Sequence, residues 1–306
     1  MENQKQKVLI VVGPTSSGKS ALAVGLARKF NGEVISADSR QVYKGLNIGT
    51  GKITEREMKG VQHHLLDEVS PHSLFTAHDF LERARRVIEK IAARGKLPIV
   101  AGGTGFYIDA LAGRVVLPNV PANKKLRENL EKKTLERLFE LLREKDPARA
   151  KTIDPHNKHR LVRALEIVRA LGKVPNDNGS EKNSGFVNPY IDALWIGIAL
   201  PFTQLEKQIK TRLRTRMKQG MVREARRLHR EGLSYARMEQ LGLEYRALAR
   251  FLRKEITREQ MIAELDRDIR RYAKRQRTYW KRNPKIRWFD SPHDSAIVSS
   301  IKRWVK

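Results

Sequence analysis

The sequence predicts an α/β protein in which a parallel sheet is flanked by helices and an all-helical smaller domain is inserted into the chain. Three observations support this fold class. Short apolar runs alternate with helical patterns over the first hundred or so residues. Helical patterns without strands follow, and the apolar run ALWIGIAL at 193–200 then indicates a return to the sheet.

The first part of the chain has the strand and helix alternation of a parallel sheet with right-handed crossovers. KVLIVV at 7–12 is a continuous apolar run, which is typical of a strand buried on both faces. The predicted elements are, in order, a strand at 7–12, a helix at 19–30, a strand at 33–37, a strand at 65–69, a helix at 78–93 and a strand at 97–101.

The inserted domain is predicted at 116–189, which leaves 1–115 and 190–306 as the core with basic C-terminal helices. Its helices are expected at 122–133, 134–145 and 157–171, and the turn-forming, polar segment 173–189 is expected to be a loop. The second part of the core is predicted to contain a strand at 193–200, helices at 202–230 and 258–280, and a strand at 285–289.

Charge is the strongest compositional signal. The chain of 306 residues has 62 Lys and Arg against 34 Asp and Glu, a formal net charge of +28. Such an excess predicts a polyanionic partner, with nucleic acid as the leading candidate. No apolar run is long enough for a membrane span and no secretory segment is recognisable, so we expect a cytoplasmic protein without membrane contact, and a monomer. Because there is no cysteine, disulfides, thiolate catalysis and cysteine-ligated zinc are excluded.

GPTSSGKS at 13–20 fits the phosphate-binding P-loop pattern, between a predicted strand and a predicted helix. Backbone N–H groups of such a loop surround phosphate oxygens, while the lysine adds charge and the final hydroxyl can bind Mg²⁺. The sheet is therefore predicted to be P-loop NTPase-like. The loop residues are Gly13, Pro14, Thr15, Ser16, Ser17, Gly18, Lys19 and Ser20.

The motif by itself suggests ATP binding. ATP-hydrolysing enzymes usually place an acid at a strand end to help hold Mg²⁺. The strand at 97–101 instead ends in Gly102, Gly103 and Thr104, and the nearest candidate acid is Asp38, after the strand at 33–37.

Several segments together resemble the tRNA dimethylallyltransferases, also called tRNA isopentenyltransferases, of the bacterial type. The matching segments are GPTSSGKS at 13–20, ISADSRQVYKGLNIGTGK at 35–52, HHLLD at 63–67, AGGTGFYI at 101–108, DPARAKTIDPHNKHRLVRALEI at 146–167 and RRYAKRQRTYWKR at 270–282. They span nearly the whole chain in the family's order, which makes the set far more specific than the P-loop.

The resemblance implies transfer of a dimethylallyl group from dimethylallyl diphosphate to the exocyclic 6-amino group of the adenosine 3′ of the tRNA anticodon. Asp38 then matches the family's general base, and an ionised aspartate can accept the amine proton. Lys19, Ser20 with Mg²⁺ and the loop amides would stabilise the departing diphosphate. The target adenine would have to be flipped out of the stacked anticodon loop.

The resemblance also implies which residues contact tRNA. They lie after Asp38, at the glycine-rich strand end, in the inserted domain and on the basic helix: Asp38, Ser39, Arg40, Gln41, Thr104, Arg127, His159, Arg160, Leu161, Val162, Arg163, Arg271, Lys274, Arg275 and Arg277. Residues 270–287 contain nine Lys or Arg and no acid, interleaved with aromatics, a composition suited to single-stranded RNA. The 3.6-residue spacing of the aromatics also fits an inward-packing helix face.

The chain departs from the family pattern in two segments. Gly51 stands in GTGKI where the family usually has GTAKP, and Glu244 stands in GLEYR where the family usually has a second glycine. The carboxylate is the larger change, since glycine suggests a close backbone approach.

Three other functions remain as alternatives. An adenylate isopentenyltransferase would use a free nucleotide, for which the basic segment and inserted domain are unnecessary. A P-loop nucleotide kinase would share the loop but has no need of ADSRQVY with GGTGFYI. A non-catalytic RNA-binding protein would not need Lys19, Ser20 and Asp38 intact.

Overall fold

The computed structural model describes residues 5–115, 117–121, 123–175 and 191–306. The chain divides into two compact units, a larger one formed by Met1–Ala112 with Asn188–Lys306 and a smaller one formed by Gly113–Val187. The loop predicted at 173–189 lies outside the described residues from position 176 onward.

A six-stranded parallel sheet forms the centre of the larger unit. Its strands are β1 (Gln6–Val12), β2 (Gly32–Ser36), β3 (His63–His64), β4 (Leu97–Ala101), β5 (Ile191–Ile198) and β6 (Ile286–Phe289). Their order across the sheet is β3-β2-β4-β1-β5-β6, and every neighbouring pair is parallel. Ile10 of β1 is in register with Val100 of β4 and Trp195 of β5, and the centre of β1 is fully buried. The predicted α/β class with a parallel sheet is confirmed.

Helices surround this sheet and make up the smaller unit. Before the smaller unit they are α1 (Lys19–Lys29), α2 (Glu55–Met58), α3 (Ala77–Ala93) and α4 (Gly105–Leu111). The helices of the smaller unit are α5 (Lys124–Glu131), α6 (Leu135–Lys145), α7 (Pro147–Ala150) and α8 (Lys158–Leu171). After it come α9 (Phe202–Gln219), α10 (Met221–Arg230), α11 (Tyr235–Gln240), α12 (Leu243–Leu252), α13 (Arg258–Trp280) and α14 (Ser295–Val305). Within the described ranges no helix has the length and apolar character needed to cross a bilayer.

Two predicted elements differ from the structure for reasons of backbone conformation. The strand predicted at 65–69 is wrong: the strand beside β2 is His63–His64, and Leu65 and Asp67 take positive φ values of 61° and 54°, which end it. The single helix predicted at 202–230 is two helices, because Gly220 adopts a left-handed φ of 103° after α9.

The smaller unit has its own hydrophobic core, built by α5, α6 and α8. Leu138, Leu142 and Leu161 are fully buried there. Asn123, Thr134 and Asn157 precede these helices, and their side chains accept hydrogen bonds from first-turn amides, which fixes the helix starts.

Candidate active site

The P-loop connects the buried end of β1 to the first turn of α1. Gly13, Ser16 and Gly18 have positive φ values of 151°, 63° and 86°, and the Ser17 amide donates to the Pro14 carbonyl at 3.3 Å. A Cβ atom on Gly13 would lie 2.8 Å from the Ile198 carbonyl oxygen, so this position requires glycine. The loop ends at a helix N-terminus, where partial positive charge favours an anion.

Lys19 is the charged side chain of this loop, and it lines a polar cavity. Its Nζ donates to the Pro14 carbonyl at 3.2 Å. Burial and the nearby Arg212 lower the pKa of Lys19, Asp38 opposes them, and the resulting pKa is about 8. A bound anion would favour the charged form of this amine.

The cavity has a volume of about 370 Å³ and lies at the carboxyl ends of β2 and β4, the usual ligand edge of a parallel sheet. Its ionisable lining comprises five cationic side chains, Lys19, Arg40, Arg212, Arg246 and Arg275, with the carboxylates of Asp38 and Glu244, the imidazole of His63 and the phenol of Tyr272. Burial lowers the pKa of His63, which favours the neutral imidazole at pH 7. The lining is therefore strongly cationic and suited to a phosphate ligand.

Asp38 follows β2 and faces this cavity. Its Oδ1 accepts hydrogen bonds from the amides of Arg40 at 2.8 Å and Gln41 at 3.3 Å. In the part of the chain that the structure describes, no donor hydrogen-bonds its Oδ2. One oxygen thus fixes the turn while the other can accept a proton.

The ends of β2 and β4 are joined next to Asp38. The Thr104 amide donates to the Ala37 carbonyl at 3.1 Å, and the Ser39 amide donates to Thr104 Oγ1 at 3.0 Å. A Cβ on Gly102 would lie 2.1 Å from the Ala37 carbonyl oxygen, so only glycine permits this approach. The segments 35–52 and 101–108 therefore lie in contact. Ser39, Arg40 and Gln41 all line the cavity.

Gln276 of α13 links the P-loop to the strand end after β4. Its Oε1 accepts from the Thr15 amide at 2.8 Å, and its Nε2 donates to the Gly103 carbonyl at 2.9 Å. The residue is only 6% exposed, and a Cβ on Gly103 would lie 2.3 Å from its Nε2. Gln276 is thus a cavity residue that is absent from the site residues predicted from the sequence.

A second set of residues, also missed from the sequence, holds the loop at 47–49. The buried Glu224 carboxylate accepts hydrogen bonds from the amides of Asn47, Ile48 and Gly49 at 3.0, 2.8 and 2.7 Å. It also accepts one from the Tyr245 hydroxyl at 2.7 Å, and burial, together with this carboxylate, raises the pKa of Tyr245. The amides of this loop are therefore held by one side chain from α10.

Two arginines of α9 hold the same loop from its carbonyl side. Arg216 is buried and donates to the carbonyls of Ile48, at 2.7 Å, and Gly49. Arg212 donates to the Gly51 carbonyl at 2.7 Å, and burial, together with Arg216, lowers its pKa. The sequence contained a signal for one of these residues. Arg216 continues the helical spacing of Leu205, Ile209 and Leu213, which are buried along α9.

The structure accounts for two of the residues that depart from the family pattern, Gly51 and Glu244. A Cβ on Gly51 would lie 2.5 Å from Arg212 Nη2, so glycine leaves space for the arginine that binds its carbonyl. Glu244 lies at the start of α12, with Oε1 3.4 Å from both terminal nitrogens of Arg216. The carboxylate is thus accommodated by an ion pair at the cavity wall.

The basic helix α13 is amphipathic. Ile269, Ala273, Gln276 and Trp280 are buried, whereas Arg271, Lys274 and Arg275 are exposed and Arg277 is half-buried. Tyr279 packs against Gly105 and donates to Asp109 at 2.6 Å. Of the four basic residues of α13 predicted to contact RNA, Arg275 lines the cavity.

The remaining predicted residues lie in the smaller unit. Arg127 makes a bidentate pair with the buried Glu166, at 2.7 and 2.8 Å, and Arg163 donates to the Val120 carbonyl at 2.9 Å. Burial raises the pKa of Glu166, but its hydrogen bonds, from Arg127 above all, outweigh this and lower it. His159 and Arg160 are exposed, whereas the side chains of Leu161 and Val162 belong to the core.

Comparison with known proteins relates this chain to one family. The IPP transferase family model matches residues 41–283. The tRNA dimethylallyltransferase of Anoxybacillus flavithermus is 38% identical over 296 residues, which cover 97% of this chain and 94% of the relative. The relative from Caldanaerobacter subterraneus subsp. tengcongensis, also named tRNA dimethylallyltransferase, is 37% identical over 92% of this chain and 91% of its own.

Solved structures agree with the sequence comparisons. The full-length tRNA isopentenylpyrophosphate transferase of Bacillus halodurans matches with a TM-score of 0.72 and 34% identity, over 98% of this chain and 96% of that one. A eukaryotic dimethylallyltransferase, solved acting on tRNA, matches with a TM-score of 0.81 and 26% identity, over 98% of this chain and 78% of its own. These matches confirm the resemblance inferred from the motifs, and they show that the chain belongs to the IPP transferase family, whose bacterial relatives are tRNA dimethylallyltransferases.

Proposed function

We propose that this protein transfers the dimethylallyl group of dimethylallyl diphosphate to the exocyclic 6-amino group of the adenosine 3′-adjacent to the tRNA anticodon, and releases diphosphate. The observation that carries the proposal is that Lys19 of the P-loop and Asp38 line one cationic cavity. A diphosphate group and a proton acceptor are the two requirements of prenyl transfer to an amine. The family membership supports the same reaction.

The diphosphate would bind at the N-terminus of α1, against Lys19 and near Arg212. Negative charge grows on the diphosphate as its bond to the prenyl carbon breaks, so fixed cations stabilise the transition state more than the bound substrate. Arg212 is held for this purpose by the Gly51 carbonyl. Its guanidinium is largely desolvated and gains from an anionic partner.

Asp38 would act as the general base. The amine nitrogen attacks the first carbon of the prenyl group, the carbon–oxygen bond breaks, and its electron pair leaves with the diphosphate. The proton that the amine loses passes to Asp38, whose Oδ2 is available while Oδ1 is held by two amides. An adenosine in a stacked loop reaches such a cavity only when flipped out.

Mg²⁺ fits the proposed diphosphate site. Ser20 is exposed, lines the cavity beside Lys19 and supplies the hard oxygen ligand that this cation prefers. No group of three or more histidine or acidic side chains in the described ranges could hold a metal, so diphosphate and water oxygens would complete the coordination. Bound there, Mg²⁺ would neutralise charge on the leaving diphosphate.

We infer tRNA contacts for the exposed cations of α13 in the larger unit and, independently, for the exposed His159 and Arg160 of the smaller unit. Arg271, Lys274 and Arg275 are available to phosphates on one helix face. The anticodon stem-loop is the part of tRNA that presents unpaired bases for such recognition.

The decisive assay incubates the protein with Mg²⁺, dimethylallyl diphosphate and unmodified tRNA, and then analyses the nucleosides by mass spectrometry. We expect prenylated adenosine at the position after the anticodon. Product on free AMP but not on tRNA would show an adenylate isopentenyltransferase instead.

The role of Asp38 is tested with Asp38→Asn, which keeps an oxygen able to accept the hydrogen bond from the Arg40 amide. We expect turnover to fall by about 10²–10⁴-fold, the usual contribution of a general base, with tRNA binding retained. Loss of tRNA binding without a specific loss of turnover would make Asp38 a structural residue. Asp79→Asn, which alters only the capping box of α3, serves as the control.

A further inference from the structure

Glu244 brings a second carboxylate into a cavity that otherwise selects for anions. It lines the cavity together with Gly242 and Leu243, so the N-terminus of α12 opens into it. Gly242 caps this ten-residue helix without a side-chain hydrogen bond. The start of α12 would by itself add positive potential to the five cations, and Glu244 offsets it from the first turn.

Glu244 is one of three acceptors of the Arg216 guanidinium. Arg216 already donates to the carbonyls of Ile48 and Gly49, and its contacts with Glu244 Oε1 are long, at 3.4 Å. The carboxylate is 20% exposed, against 8% for the arginine side chain. Its negative charge therefore acts on the contents of the cavity as well as on Arg216.

The charge balance of the cavity gives this carboxylate a consequence for ligands. With five cations and two carboxylates the lining has a formal charge of +3, and without Glu244 it would be +4. A strongly cationic site favours free diphosphate over its prenyl ester, because free diphosphate has one more ionisable oxygen. Such a site tends to retain the product.

We propose that Glu244 is a determinant of ligand selectivity that weakens binding of free diphosphate relative to the prenyl diphosphate and thereby speeds release of the product. The proposal rests on the proposed function, which places the diphosphate at the P-loop. It gives a role to the residue by which this chain departs from the glycine of the family pattern.

The test measures the dissociation constant of inorganic diphosphate by titration calorimetry, and its inhibition of turnover. Glu244→Gln removes the charge while keeping the shape, and we expect about tenfold tighter diphosphate binding at low ionic strength, with a smaller gain at high salt. Glu244→Asp keeps the charge and should leave the constant near that of the unchanged protein. Glu239→Gln removes an equal charge that pairs with Arg253 outside the cavity, and it should also have no effect.

Glu244→Gly supplies a second uncharged variant if the glutamine variant folds poorly, and it should also bind diphosphate more tightly. Unchanged or weaker binding in the folded uncharged variants overturns the proposal. Lys19→Ala separates this result from the proposed function. If Lys19→Ala leaves diphosphate binding unchanged, the P-loop site itself is wrong; if it weakens binding while Glu244→Gln has no effect, only the role of Glu244 fails.

Discussion

Gln276 accepts a hydrogen bond from the Thr15 amide at 2.8 Å, across 261 positions of sequence, and so fixes the P-loop from the same helix that carries the exposed basic residues Arg271, Lys274 and Arg275. Its other end donates to the Gly103 carbonyl at 2.9 Å. A single amide side chain thereby sets the distance between two walls of the cavity. An amide is required, because one group must accept and the other must donate.

Gln276→Ala should therefore impair diphosphate binding. The substitution leaves the Thr15 amide and the Gly103 carbonyl without their side-chain partner. For each of these groups that water does not reach, the free energy of unfolding should fall by about 1–3 kcal/mol. We expect a lower melting temperature and a dissociation constant for inorganic diphosphate that is raised by about tenfold or more. Thr278→Ala, an exposed site on the same helix, is the matched control. Equal effects of the two substitutions would contradict a specific role for Gln276.

The sequence predicted the parts of the site that depend on local chain geometry. The P-loop is a continuous motif between a strand and a helix, and Asp38 directly follows a strand, so both could be placed at the ligand edge of a parallel sheet. Their common cavity then follows from the adjacency of β1, β4 and β2.

The residues that support the site could not be predicted in this way. Glu224 binds the loop at 47–49 over 175 or more positions of sequence, and its burial depends on how α9, α10 and α12 pack. In sequence it is one acid within a basic segment. The third strand was misplaced for a different reason, since the positive φ values of Leu65 and Asp67 have no glycine to signal them.

The pKa of Lys19 predicts a pH dependence of diphosphate binding. Burial lowers this pKa to about 8, so the amine of the free protein loses its proton as the pH rises through about 8. Affinity for diphosphate should be highest below that value and fall above it, because the neutral amine cannot pair with the anion. The dissociation constant should be measured between about pH 7 and about pH 9.

Lys19→Arg is the control for this titration. The guanidinium keeps its proton throughout the range, and protonation of the diphosphate itself is common to both proteins. The difference between the two profiles should therefore grow with pH. Parallel profiles would show that Lys19 does not titrate in this range.

Substitution of Glu224 should lower the stability of the folded protein, because this residue supports the structure of a loop. Glu224→Gln replaces a carboxylate that accepts four hydrogen bonds with a group that has one acceptor oxygen, so buried donors lose their partner. We expect the free energy of unfolding to fall by about 3 kcal/mol. Tyr245→Phe removes one of the four bonds and should cost about 1 kcal/mol.

Denaturant unfolding of the two single variants and the double variant measures the coupling between them. Because the hydroxyl donates directly to the carboxylate, the two effects should not add. Additive effects would mean that the Tyr245 hydroxyl contributes independently of Glu224.

The exposed cations of α13 predict the salt dependence of tRNA binding. Replacing Arg271 or Lys274 by Gln removes one potential phosphate contact without removing a buried side chain. Each change should weaken binding and reduce the slope of the logarithm of affinity against the logarithm of salt concentration by about 0.7–0.9. Filter binding at several salt concentrations gives this slope.

The matched control is Lys29→Gln, which removes the same charge from the exposed end of α1. Lys29→Gln lowers the net charge of the protein by the same amount as the α13 variants. If only the net charge mattered, the salt slopes of Lys29→Gln and of the α13 variants would change by the same amount. A direct phosphate contact changes the slope only for the α13 variants. Equal slopes for all three substituted proteins and the unchanged protein would place the tRNA on another surface, since counterion release is counted only where phosphates are contacted.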